Sequence, residues 1–252
     1  MKKIMLLFVL TMGLSFCATS AKKLSPDNEK NPQYQYEKAV IAMNYGLPEE
    51  AVKYVDLALS LDPQHSASLN LLGMLYLQKE NYAEAAVALE KCLTVKPDFP
   101  EAHNNLGTAY LKMGFKDKAM AEFQKAFAGN GNAFAAFSLA KLHLEKKELP
   151  AALDWIEKTI QKSPREAGAY NVKGVILNEM GRYPESVLSL ETGLSLAPAD
   201  VTININLGIA CVNNKQLNRA REIFEKILPS IKDEALRSKV AEYIKSIKEA
   251  GQ

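Results

Sequence analysis

The 252-residue chain has little cysteine, histidine or tryptophan: three, three and one residues respectively. Cys92 and Cys211 lie more than a hundred residues apart, and this scarcity excludes a disulfide-stapled fold. They are expected to pack as small apolar residues. His65, His103 and His143 recur with no acidic or cysteine partner at ligand spacing, so no metal site is expected. No glycine-rich phosphate loop or dinucleotide fingerprint occurs. Charge of one sign is also lacking, since 31 basic residues face 29 acidic ones for a net charge of +2. Without a clustered basic excess, nucleic acid is excluded as a partner. Glu84, Glu90 and Asp154 read as solvated helix-surface carboxylates with no cleft about them. The chain is therefore read as non-enzymatic and without a cofactor.

Long apolar runs are equally scarce. The one that stands out, Ile4 to Phe16, covers 13 residues behind Lys2-Lys3 and ahead of the small residues Ala18 to Ala21. It is short for a bilayer, which takes about 20 residues, and fits the core of an export signal. Residues 1–21 are expected to be that signal, leaving a neutral remainder outside the cytoplasm. Leu14-Ser15-Phe16-Cys17 resembles the bacterial lipobox, with Phe16 standing where a small residue is usual. The resemblance makes Cys17 a lipidation site that anchors the protein to the outer membrane. Thr19 and Ala21 offer the alternative of ordinary cleavage. Residues 22–31, polar and containing Pro26, read as a tether.

What the chain does have is a period. Leu72-Gly73 returns as Leu106-Gly107, Leu207-Gly208 repeats the pair, and Gly174 takes the same place in its own stretch. Pro63, Pro97, Pro164 and Pro198 mark ends. The units run 32–65, 66–99, 100–132, 133–166, 167–200 and 201–234. In each second helix, small or apolar residues fall at positions 20, 24 and 27, as in Ala85, Leu89 and Cys92 or Ala119, Phe123 and Ala126. Steps of four and three place them on one helix face. Gly46, Gly114 and Gly181 share one position, where a left-handed residue would end the first helix. Gly129-Asn130-Gly131-Asn132 replaces the usual proline and shortens one unit by a residue, which reads as a looser joint. Leu236, Val240, Tyr243, Ile244 and Ile247 form one stripe, so residues 235–249 read as a capping helix.

This pattern is similar to the tetratricopeptide repeat across residues 32–234. The resemblance implies an all-α fold: a right-handed superhelix, or α-solenoid, of six helix-turn-helix repeats closed by the cap. It also implies that the first helix of each unit lines a concave groove through positions two, five, nine and twelve. The candidate partner-binding residues are then Tyr36, Met43, Asn70, Met74, Leu77, Asn104, Leu111, Phe137, Asn171, Val175, Ile205 and Ile209. Asparagines can satisfy the backbone of an extended peptide, and the methionines and leucines supply adaptable apolar contact. Tetratricopeptide co-chaperones clamp a terminal carboxylate with basic residues at positions two, five and six. Here those positions carry Asn70, Leu71, Glu101, Asn104, Asn105, Phe134 and Ser138, so that clamp is not expected.

Export signal, tether, six repeats and cap together resemble the tetratricopeptide pilotin lipoproteins of type IV pilus assembly. That implies a secretin subunit as the protein partner. A general envelope scaffold recruiting peptidoglycan enzymes or other lipoproteins is the alternative.

Overall fold

The computed structural model describes residues 26–250; the expected export signal and Cys17 lie outside them. Among the described residues there are thirteen α-helices and no strand. They pair as α1 (Pro32–Asn44) with α2 (Pro48–Leu61), α3 (Ser66–Gln78) with α4 (Tyr82–Val95), and α5 (Pro100–Lys112) with α6 (Lys116–Asn130). Three more pairs follow: α7 (Ala133–Glu145) with α8 (Leu149–Lys162), α9 (Ala167–Glu179) with α10 (Tyr183–Leu196), and α11 (Val201–Asn213) with α12 (Leu217–Ile227). The last helix is α13 (Glu234–Ala250).

Local chemistry sets these boundaries. Asn31, His65, Asn132 and Asp200 cap helix N-termini by accepting from a backbone N–H two or three residues on. Proline opens α1, α2, α5, α8 and α10 within the first turn, where its missing N–H costs nothing. Every first helix ends on the same device. Gly46, Glu80, Gly114, Lys147, Gly181 and Lys215, one per unit, have φ between 60° and 83°. Three of these left-handed residues are not glycine and carry a strain of about 1–2 kcal/mol each.

The two helices of a pair approach closely because one side chain is missing. A Cβ on Gly107 would stand 2.8 Å from the Phe123 ring, and Gly73, Gly174 and Gly208 meet Leu89, Leu190 and Phe224 in the same way. Those four partners are fully buried, as are Ala85, Cys92, Ala119, Ala126, Ala152 and Ile156. The core runs along the array as successive clusters, each bridging neighbouring units. Such an architecture is stabilised by neighbours rather than by a centre. First helices also touch first helices, most closely α3 with α5 and α9 with α11, while second helices make no comparable contact with one another. The array therefore curves with its first helices on the inside.

Three expectations need correction. The joint at 129–132 is pinned, not loose. Gly131 closes α6 in a left-handed conformation, Asn132 caps α7, and a Cβ on Gly129 would strike Pro100. Contact between α5 and α7 is sparse, as it is between α1 and α3. The end of the expected tether is docked: Pro26–Lys30 is a 3-10 turn, and the buried Gln35 donates to the Glu29 backbone carbonyl at 2.7 Å and to its carboxylate at 2.9 Å. Finally, α13 covers the last pair with Val240, Ile244 and Ile247, and Tyr243 stacks on Phe224 at 5.5 Å. Two residues of the stripe are only partly covered, Leu236 at 36% and Tyr243 at 40% exposed.

Candidate functional site

The inner face is built from the first helices. With 3.6 residues per turn, positions two, five, nine and twelve share one side. All twelve candidate residues are solvent-accessible to some degree, with Met74 the most open at 42%. Most also lean on the core beneath: Tyr36 and Met43 on the first cluster, Leu77 on the second, Leu111 on the third, Phe137 on the fourth pair, Ile205 and Ile209 on the last. Their stems hold the helices together while their outer edges line the groove. Met74, a flexible thioether on the surface, is the most adaptable of them.

The asparagines do more than face solvent. Asn70 Oδ1 accepts from Asn105 Nδ2 at 3.0 Å, and Asn171 Oδ1 accepts from Asn206 Nδ2 at 2.8 Å. Asn178 Oδ1 likewise accepts from Asn213 Nδ2 at 3.0 Å. Each bridge joins residues 35 apart, one more than the repeat. The bridges coincide with the closest approaches between first helices, α3 to α5 and α9 to α11. Strict steps of 34 do not pair Asn70 with Asn105, Asn171 with Asn206 or Asn178 with Asn213; steps of 35 do. Asn104 stands apart, its Oδ1 buried without a hydrogen-bond partner.

Charge is sparse on this face. Among the positions two, five, nine and twelve, only Glu101 and Lys141 are ionised residues. Glu101 accepts from Asn130 Nδ2 at 3.1 Å, and Lys141 Nζ lies 5.7 Å from the centre of the Phe137 ring. Ion pairs gather instead at the turns, where Lys146 meets Asp117 at 2.6 Å and Lys147 meets Glu179 at 2.8 Å. The Lys146 ammonium beside it holds the Asp117 carboxyl below its usual range.

A second feature corrects the expectation that Glu90 has no cleft about it. A cleft of about 510 Å³ lies between the second and third units, lined by Glu90, Pro97, His103, Tyr110, Glu122 and Lys125 among others. His103, Leu106 and Tyr110 occupy positions four, seven and eleven, on the side of α5 turned away from the groove. Tyr110 donates to Glu90 at 2.5 Å, and burial, reinforced by that carboxylate, pushes its phenol up to about 12. The two ring nitrogens of His103 reach Glu122 Oε2 at 2.6 Å and the Pro97 carbonyl at 2.9 Å. These groups satisfy one another and fasten α4, α5 and α6 together. No group of three or more His, Cys, Asp or Glu among the described residues is placed to hold a metal ion.

Comparison with known proteins bears on the same elements. Family models for the tetratricopeptide repeat match residues 32–65, 104–167 and 167–200, and one described as TPR repeat matches 73–114. Subunit 3 of the anaphase-promoting complex of Schizosaccharomyces pombe is 24% identical over 200 residues, 78% of this chain and 30% of that protein. The chain spans between 18% and 38% of the length of the first curated relatives it matches. Among solved structures, PilW, a widely conserved type IV pilus biogenesis factor, superimposes with a TM-score of 0.69. It does so at 16% identity, over 83% of this chain and 98% of that one. YrrB, a repeat protein with an unusual peptide-binding site, gives 0.60 at 22% identity, over 70% of this chain and 92% of that one.

Proposed function

The chain belongs to the tetratricopeptide-repeat family, and on that footing we propose that it is a non-catalytic scaffold of the bacterial envelope holding a protein partner in its inner groove. Within that role it acts as a pilotin-like factor, carrying a secretin subunit to the outer membrane for type IV pilus assembly. The observation that carries the reading is the inner face itself. It is accessible through all six units, apolar and amide in character, and almost free of charge. Half-buried apolar side chains beside amides, with only two ionised residues among them, suit an apolar, extended polypeptide. The likeness to PilW over nearly all of that chain supports the pilus assignment, as do the apolar run ending at Cys17 and the small residues after it. The groove would shelter an apolar, extended stretch of the subunit, and lipid on Cys17 would deliver both to the membrane.

The test is to place charge in the groove. Met74→Asp with Thr108→Asp alters position nine of adjacent units, where both side chains reach solvent. Secretin multimers in the outer membrane should fall at least tenfold. Val87→Asp with Leu188→Asp, at outward positions 67% and 65% exposed, should leave them unchanged. Normal multimers in cells lacking the chain would overturn the pilus role.

A further inference from the structure

The groove is not uniform. In four of the units, positions nine and twelve include a long side chain: Met43, Met74 and Leu77, Leu111, Lys141 and Leu144. The fifth unit has Val175 and Asn178 there, and the sixth has Ile209 and Val212. Where the short pair stands, the surface opens into a cavity of about 190 Å³. Its walls are Gly174 and Val175 on α9, Leu190 on α10 and Ile209 on α11, with Asn178, Glu179 and Asn206 completing the lining. Leu190 fills the place of Gly174's missing side chain and is fully buried, so the accessible apolar walls are Val175 and Ile209. A cavity of about 150 Å³ lined by aliphatic groups takes a benzene ring. This one is of a size for a single leucine, methionine or phenylalanine side chain.

The polar groups around it are set in one arrangement. Glu179 is the charged lining residue, and its carboxylate is bound by Lys147 Nζ through both oxygens, at 2.8 and 2.9 Å. Asn206 spends its amide nitrogen on Asn171, and Asn178 spends its oxygen on Asn213. Each side chain is thereby fixed in orientation. Asn206 keeps a carbonyl oxygen free to accept, and Asn178 keeps an amide nitrogen free to donate. An extended polypeptide presents one donor and one acceptor per residue, and this pair offers the complement to both.

We propose that the cavity between the fifth and sixth units is a specificity subsite that takes one apolar side chain, up to phenylalanine in size, from an extended and uncharged segment of partner polypeptide. Asn206 and Asn178 hold the peptide groups beside that side chain. The inference rests on the reading of the inner face as a polypeptide groove, and adds where along it the sequence of the partner is read. A charged side chain is rejected because it would lose its hydration against Val175 and Ile209 with no counter-charge free to meet it.

The experiment uses the full chain and blocked nonapeptides of Ser, Thr and Asn with one central residue, Gly, Leu, Phe or Asp, each carrying a fluorophore. Binding is read by anisotropy. The Leu and Phe peptides should bind at least tenfold tighter than the Gly peptide, and the Asp peptide no tighter than Gly. Val175→Trp, which fills the cavity from a partly exposed position, should abolish the difference. Val40→Trp, at the same place in the first unit, should keep it, and helical dichroism of both variants should match the parent. Asn178→Leu provides a second probe and should weaken the Leu peptide by removing the donor. If all peptides bind alike, or the preference survives Val175→Trp, the subsite is refuted. The groove reading stands in that case provided binding is lost in Met74→Asp/Thr108→Asp. If no peptide binds at millimolar concentration, both ideas are overturned.

Discussion

Replacing Gly107 by alanine sets two effects of known sign against each other. In the middle of a helix, alanine is favoured over glycine by about 1 kcal/mol. The added methyl would lie 2.8 Å from Cδ1 and Cε1 of Phe123 and 3.2 Å from Cγ. Phe123 is fully buried between α5, α6 and α7 and cannot swing into solvent. Overpacking of this kind costs about 1–3 kcal/mol, so the net change is a loss of about 0–2 kcal/mol. Valine adds two more methyls and a stiffer side chain, and should cost about 1–3 kcal/mol net. The control is Phe123→Leu, which trims the ring. Combined with Gly107→Ala it should cost less than the sum of the two single changes, by about 1 kcal/mol or more, because one removes the other's clash. Repeat arrays depart from two-state unfolding, so amide hydrogen exchange is the better assay. Protection should fall most in α5 and α6, then in the flanking α4 and α7, and least at α1 and α13. If Gly107→Ala raises protection by the full helix-propensity gain, the close approach of the two helices does not depend on a missing Cβ and the packing argument fails.

Burial pushes the Cys92 thiol up to about 11 and raises that of Cys211. Both should therefore resist iodoacetamide at pH 8 in the native protein and react on unfolding, as mapped by mass spectrometry; rapid native labelling of either would contradict their burial. Cys17→Ala should move the protein from the membrane to the soluble periplasmic fraction. An intact mass for a mature chain starting at Lys22 would rule lipidation out.

The all-helical solenoid was legible because glycine and proline are punctuation. Gly73, Gly107 and Gly208 recur where two helices touch, and Gly46, Gly114 and Gly181 where one ends. The left-handed conformation at the same turn in the other three units was not legible. Glu80, Lys147 and Lys215 look like any surface residues, and only the backbone reveals their left-handed conformation. The inward residues were legible as a face, from helical period alone. Their second task was not, since Asn70 and Asn171 are engaged by residues one place out of phase with the repeat. The cleft at Glu90 was hidden for a related reason. It is made by three helices from two units, so neither a unit nor a helix contains its pattern.

In-cell photocrosslinking asks whether the inner face holds a polypeptide. Benzoylphenylalanine placed at Thr108 or Val175 faces the groove, and at Val87 or Leu188 it faces outward from the second helices. Discrete partner adducts are expected from the two inner positions, with none from the outer two. Adducts confined to Val87 and Leu188, with Thr108 and Val175 silent, would contradict that expectation and move the binding surface to the outside of the array.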